Sequence, residues 1–171
     1  MLRGQDILVL VGLMGQPAGL TTQQVADSVC LDLAAVHRAF LRLRSSQLIL
    51  SDRRVQAANA DEFLSHGLRY VFPPEYRGES RGVPTAWAVS PLRERLADAE
   101  ALPPVWPHPL GDVRGVAVAP MHKAVPEAAL ADPALHERLA LVDALRLGDV
   151  RQRREARELL LPLLPSVVGE E

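Results

Sequence analysis

The stretch from residue 32 to residue 46 places arginine, histidine and alanine side chains on one predicted helix. Asp32 is a residue type that caps helix N-termini, so we predict a helix over about 33–46. Its apolar residues recur at spacings of three and four, which predicts one buried face: Leu33, Val36, Phe40 and Leu43.

The opposite face of this predicted helix combines small residues with arginine: Ala34, Ala35, Arg38, Arg42 and Ser45. Small side chains permit close approach, and a guanidinium group can bond a phosphate or a guanine edge through two hydrogen bonds. No acidic residue lies between Asp32 and Asp52. This pattern favours insertion into the major groove of double-stranded DNA.

Capping and turn signals predict the elements that position this helix. A first helix over about 5–14 ends at Gly15 and Pro17. A second opens at Thr21, which has capping-box spacing to Gln24. After the third helix, two short apolar runs, 48–50 and 55–57, flank a polar tip over 51–54, which predicts a short hairpin shaped like a wing.

Residues 21–49 resemble the helix-turn-helix core of MarR-like and related winged-helix transcriptional regulators. The matching positions are the start of the first motif helix, its apolar-Ala pair, the N-cap and core of the second, and the entry to the wing: Thr21, Val25, Ala26, Asp32, Val36, Phe40, Leu43, Leu48 and Ile49. Two departures are Cys30 and Gln47, which stand where such proteins often have glycine.

The resemblance implies a mainly α fold with a small β-wing, a winged helix-turn-helix domain over 1–72, and a DNA-binding regulator that represses transcription. Arg38 and Arg42 would enter the groove, with base reading by Arg38 and His37 and methyl contacts from Ala34 and Ala35 to thymine. The remaining implied DNA contacts are phosphate binding by Thr21, Thr22 and Gln23 and minor-groove or phosphate contacts by Arg53 and Arg54.

The alternative is a winged helix that binds only protein, as an antitoxin or adaptor, with its arginines on a solvated face. Residues 68–92, LRYVFPPEYRGESRGVPTAWAVSPL, resemble the region that follows the helix-turn-helix in small bacterial regulators encoded beside nucleotidyltransferase-type toxins. Within this stretch, Arg77 and Arg81 suggest an anion or partner site. The other interpretation is a surface loop held by neighbouring aromatic side chains.

The rest of the chain is predicted as a connecting segment and a helical C-terminal region. A fourth helix spans 60–71, and the Pro/Gly-rich connection over 73–112 holds a strand at 85–89 and an extended stretch at 101–110. The C-terminal region, 113–171, contains a strand at 113–119 and helices at 133–147 and 149–164. Their leucine stripes predict either a cap on the core or a homodimer interface, to which helix 5–14 is an alternative.

Composition narrows the function classes. Residues 1–58 carry a net charge of +2 and residues 97–171 carry −4, so the basic part coincides with the predicted DNA-binding domain. One cysteine and five scattered histidines show no metal-ligand spacing, and no catalytic motif occurs. We therefore expect a cytoplasmic, non-enzymatic protein without cofactor or membrane span. A small-molecule sensor would need a pocket formed by Tyr70, Trp87 and Trp106.

Overall fold

The computed structural model of the protein describes residues 1–96 and 101–165, and it is mainly helical with a small three-stranded sheet. The helices are α1 (Gly4–Leu13), α2 (Thr22–Val29), α3 (Leu33–Ser45), α4 (Ala57–Glu62), α5 (Leu68–Val71), α6 (Leu92–Arg95), α7 (Val125–Ala131), α8 (Pro133–Leu147) and α9 (Val150–Leu160). The strands are β1 (Tyr76–Pro84), β2 (Pro104–Pro107) and β3 (Val113–Val118).

The first three helices lie where capping signals predict them. The capping box at α2 is formed, since Gln24 N–H donates to Thr21 Oγ1 and Thr21 N–H donates to Gln24 Oε1. At α3 the Asp32 carboxylate accepts from the Ala35 amide at 2.7 Å. Cys30 and Gln47, at either end of α3, both adopt positive φ, 55° and 58°. The chain thus turns there through left-handed residues where glycine would be less strained.

The predicted hairpin is a tight turn closed by one bridge between Ile49 and Val55. Leu50 N–H donates to Arg54 O at 2.8 Å, and Gln56 N–H donates to Leu48 O at 2.9 Å. The helix that follows begins three residues earlier than predicted, at Ala57. It runs through α4, a π-helical turn (Phe63–Gly67) and α5.

The sheet corrects the prediction for the middle of the chain. β1 pairs antiparallel with β3, from Tyr76 opposite Val118 to Gly82 opposite Val113, and its last residues pair with β2. The predicted strand over 85–89 is wrong, because Ala86–Ala88 forms a 3₁₀ turn with Ala86 at a φ of 52°. The expected connecting segment instead supplies β1 and β2, two of the three strands.

In the C-terminal region, the strand at 113–119 and the helix over 133–147 are confirmed, while α7 was not predicted. The leucine stripe of α8 is buried inside the chain: Leu135, Leu139, Val142 and Leu145. In α1, every residue from Asp6 to Gly12 is buried as well. The apolar residues of α8 and α1 are thus parts of the core, as the cap alternative predicts for α8. In the helix predicted over 149–164, Leu160 and Leu164 are buried and Leu161 is 39% exposed. The homodimer stays a prediction.

A buried polar cluster joins the sheet to α8. One carboxylate oxygen of Asp143 accepts from Thr85 Oγ1 at 2.8 Å and from Trp106 Nε1 at 2.9 Å. Its other oxygen lies 2.9 Å from Arg146 Nε, and Arg146 donates to Ala119 O. Burial raises the pKa of Asp143, an effect that Arg146 and the two hydrogen bonds oppose. We call Thr85, Trp106, Asp143 and Arg146 the Asp143 cluster.

The ion pair between Asp61 of α4 and Arg157 of α9 should make stability depend on acid pH. Arg157 donates to both oxygens of Asp61, at 2.8 and 2.7 Å, which lowers the pKa of Asp61. A lowered folded-state pKa contributes stability above the unfolded value, about 3.9, and this contribution is lost as pH falls through the folded value. We expect Asp61→Asn to flatten the pH dependence of the urea midpoint below about pH 5. An unchanged slope would contradict this role.

None of the helices in the two described ranges is both long and apolar enough to cross a lipid bilayer.

Candidate nucleic-acid interface

Helix α3 has a buried face and an exposed face, and the buried face determines which side chains a ligand can reach. Val36, Ala39, Phe40 and Leu43 are buried against the helices around them, as the periodicity predicts for three of these four. The helix contacts α1 and α2, which hold it along its length. Only its outward side chains are available for recognition.

The boundary between the two faces differs from the prediction at the start of α3. Ala35 is 5% exposed, so it is part of the core and cannot reach a thymine methyl group. Leu33, expected in the core, is 49% exposed. Leu33 is the first residue of the helix, and the buried face passes through Ala35 and Ala39 instead. Ala34 remains exposed.

Arg42 does not belong to the exposed recognition face. Its Nε and Nη2 atoms donate to the two oxygens of Asp6 at 2.8 and 2.7 Å. The side chain of Asp6 is 0% exposed and that of Arg42 is 20% exposed. This bidentate bond raises the pKa of Arg42 and joins α3 to α1. The expected groove contact by Arg42 is therefore corrected to a structural ion pair.

Arg53 also has a structural position. Its Nη1 donates to Leu20 O at 3.0 Å, and its guanidinium carbon lies 4.9 Å from the centroid of the Phe40 ring. The half-buried Arg53 thus holds the 49–55 turn against α3 and the loop before α2. The expected DNA contact by Arg53 stays a prediction, with one of its N–H groups already engaged.

Arg54 is exposed at the tip of the same turn, where it pairs with Asp52 at 2.7 Å. Backbone and side-chain hydrogen bonds from Arg54 lower the pKa of Asp52. Since both side chains are more than half exposed, the pair is screened and can open to a phosphate at little cost.

Four side chains of α3 offer polar groups on the exposed face: His37, Arg38, Arg44 and Ser45. Arg38 has no hydrogen bond or ion pair with any side chain in the described ranges. Arg44 donates one hydrogen bond to Ser51 O at 3.1 Å, which leaves its other N–H groups to solvent. The sequence reasoning missed Arg44, although its spacing of seven from His37 places both on one side of the helix.

At the start of α2, the capping box satisfies the amides of Thr21 and Gln24. Thr21 and Gln23 are exposed and Thr22 is half-buried. The side-chain amide of Gln23 donates to Asp27 at 2.7 Å. The expected phosphate contacts are thus those of the Thr21 hydroxyl and of backbone amides in the first turn.

Arg77 and Arg81 do not converge on one site. A bulge in β1 shifts the register, so that Arg77 lies opposite Ala117 while Arg81 lies opposite Arg114. Positions 117 and 114 of β3 belong to opposite faces of the sheet, so the two arginines do too. Arg77 also contacts Glu75 at 3.5 Å. This arrangement favours surface positions over an anion site.

Tyr70, Trp87 and Trp106 do not line a common small-molecule pocket. Trp106 is buried in the Asp143 cluster, Trp87 is half-buried, and Tyr70 is exposed beside Arg69. In the described parts of the chain, no group of three or more His, Cys, Asp and Glu residues is placed to hold a metal ion.

The candidate interface therefore comprises α3, the start of α2 and the tip of the 49–55 turn. We call Leu33, Ala34, His37, Arg38, Leu41 and Arg44 the outer face of α3. In comparisons with known proteins, no family model, no curated protein and no solved structure matches the chain.

Proposed function

We propose that the protein is a DNA-binding transcriptional regulator in which residues 1–58 form a winged helix-turn-helix. In this proposal α3 enters the major groove and the 49–55 turn is the wing. The observation that carries it is the outer face of α3, which presents Arg38 and Arg44 and no acidic side chain. Occupying an operator excludes competing proteins from it, so the regulator is proposed as a repressor.

The surrounding contacts support a single preformed surface. Arg44 bonds the turn at Ser51, and Arg53 holds the turn against Phe40. The turn is thus held to α3 at two points, and Arg54 at its tip is positioned beside the helix. A surface that is fixed before binding loses less conformational entropy when it binds.

Selection of bound duplexes from a random DNA pool, repeated at two salt concentrations, tests the proposal. Arg38→Ala with Arg44→Ala should lower affinity for the selected duplex about tenfold or more. It should also reduce the salt dependence, because a protein that makes fewer phosphate contacts releases fewer counterions when it binds. Circular dichroism should show an unchanged fold.

The matched control replaces two exposed arginines of α9, Arg151→Ala with Arg154→Ala, which changes the net charge equally. The control should bind nearly as the wild type does. Equal loss in both variants would indicate a general charge effect, and unchanged affinity of the α3 variant at fixed salt would refute the proposal.

The second candidate is a protein-interaction module such as an antitoxin or adaptor. It is favoured by one observation: Leu33 and Leu41 on the outer face of α3 are 49% and 52% exposed. Exposed apolar side chains grouped on one face are typical of protein interfaces. This candidate predicts that no duplex is selected, and that a partner co-purifies with the wild type but not with Leu41→Arg.

A further inference from the structure

The centre of the outer face of α3 carries two aliphatic side chains and one imidazole, and its two arginines lie to either side. Ala34, His37 and Leu41 follow one another at spacings of three and four, which aligns them along the middle of the face. Because an α-helix advances about 100° per residue, Arg38 lies to one side of this line and Arg44 to the other. Leu33 lies on the side of Arg44.

The order of side chains across the outer face of α3 matches the order of chemical groups across a DNA major groove. The walls of the groove are phosphates, and its floor presents base edges. Among the four natural base pairs, the one apolar group on that floor is the C5 methyl of thymine, whereas guanine offers two acceptors to arginine. Arginines on both sides of the aliphatic Ala34 and Leu41 therefore suit a floor that carries methyl groups between two charged walls, with His37 beside them as a polar group.

We propose that Leu41, Ala34 and Leu33 contact thymine C5 methyl groups, so that the recognised duplex carries thymines under α3. This inference rests on the proposed function. Ala35 takes no part because it is buried, and Arg42 takes none because it is bonded to Asp6. Leu41, which the sequence pattern did not single out, becomes a specificity-determining residue.

The positive charge of this face favours DNA over a protein as its ligand. The outer face of α3 carries no acidic residue, and Arg54 adds a cation at the neighbouring turn. Of the acidic groups on adjoining segments, Asp32 caps α3, Asp27 bonds Gln23 and Asp52 pairs with Arg54. Glu127 of α7 lines the same groove as Arg38, on the Arg38 side of the face. The Arg44 side, together with Arg54, is therefore the more favourable side for a phosphate.

The test replaces thymine by deoxyuridine, which removes the methyl group and keeps every hydrogen-bonding group. In the selected duplex, each thymine under α3 is replaced singly and affinity is measured at fixed salt. We expect about a fourfold loss at each contacted methyl, the factor that corresponds to burying one such group. Leu41→Ala should bind the thymine duplex more weakly and should no longer distinguish thymine from deoxyuridine at its own position.

Leu130→Ala, an equally exposed leucine on α7, is the matched control and should keep the full deoxyuridine effect. If the wild type binds the duplex and no deoxyuridine substitution changes its affinity, methyl reading is refuted while the proposed function stands. If Leu41→Ala keeps the full discrimination at every position, the assignment of Leu41 is refuted. If no duplex is bound and Leu41→Arg abolishes binding of a protein partner, both proposals are refuted.

Discussion

Asp143→Ala is expected to lower the free energy of unfolding by about 3–5 kcal/mol, the range measured when one partner of a buried ion pair is removed. The substitution leaves the buried Arg146 guanidinium without its carboxylate and removes the acceptor for Thr85 and Trp106. Urea denaturation followed by circular dichroism would report the loss as a lower midpoint. A change below about 1 kcal/mol would contradict a stabilising role for the cluster.

Two further variants distinguish charge from packing in this experiment. Glu137→Ala removes an exposed carboxylate from the same helix and should stay within about 0.5 kcal/mol of the wild type. Asp143→Ala combined with Arg146→Met removes both buried charges. Because an apolar replacement of a buried ion pair is often neutral, the double variant should be more stable than Asp143→Ala alone.

Arg42→Ala is expected to cost about 3 kcal/mol, because it leaves the fully buried carboxylate of Asp6 without its charged partner. The Arg3 amide, 2.8 Å from Asp6 Oδ2, would be the remaining donor to that carboxylate. Chemical denaturation of Arg42→Ala beside Arg38→Ala measures the difference. Arg38 is exposed on the same helix, so its removal should change stability by no more than about 0.5 kcal/mol.

This contrast decides how binding data on α3 variants are to be interpreted. Loss of DNA binding in Arg42→Ala would report partial unfolding, whereas the same loss in Arg38→Ala would report a missing contact. Equal stability of the two variants would refute the structural role of Arg42.

The first three helices could be predicted from sequence because the signals that determine them are local. Thr21 with Gln24 and Asp32 with the Ala35 amide are contacts between residues three apart, and both are formed. β1 carried no such signal, since its residues from 76 to 81 are almost all exposed and show no alternation. Its partners lie more than twenty residues downstream, and only that pairing defines it as a strand.

The candidate site was predictable only in part, because the sequence pattern reports local contacts and not long-range ones. Periodicity identified α3 and the exposure of Ala34, Arg38 and Ser45, which all follow from helix geometry. It could not identify Asp6 as the partner of Arg42, which is thirty-six residues away, or Leu20 as the acceptor for Arg53. Which arginines remain on the surface is thus decided by tertiary contacts that one helical pattern does not contain.

The burial of α1 from Asp6 to Gly12 also bears on how the chain unfolds. α1 contacts α2, α3 and α8, and Arg138 of α8 donates to Val11 O. At its start, a Cβ on Gly4 would lie 1.7 Å from Met121 O, so the backbone of α1 directly contacts the loop between β3 and α7. Detaching the C-terminal helices would expose α1 to water, and we therefore expect the outer face of α3 to unfold in the same cooperative unit as α8.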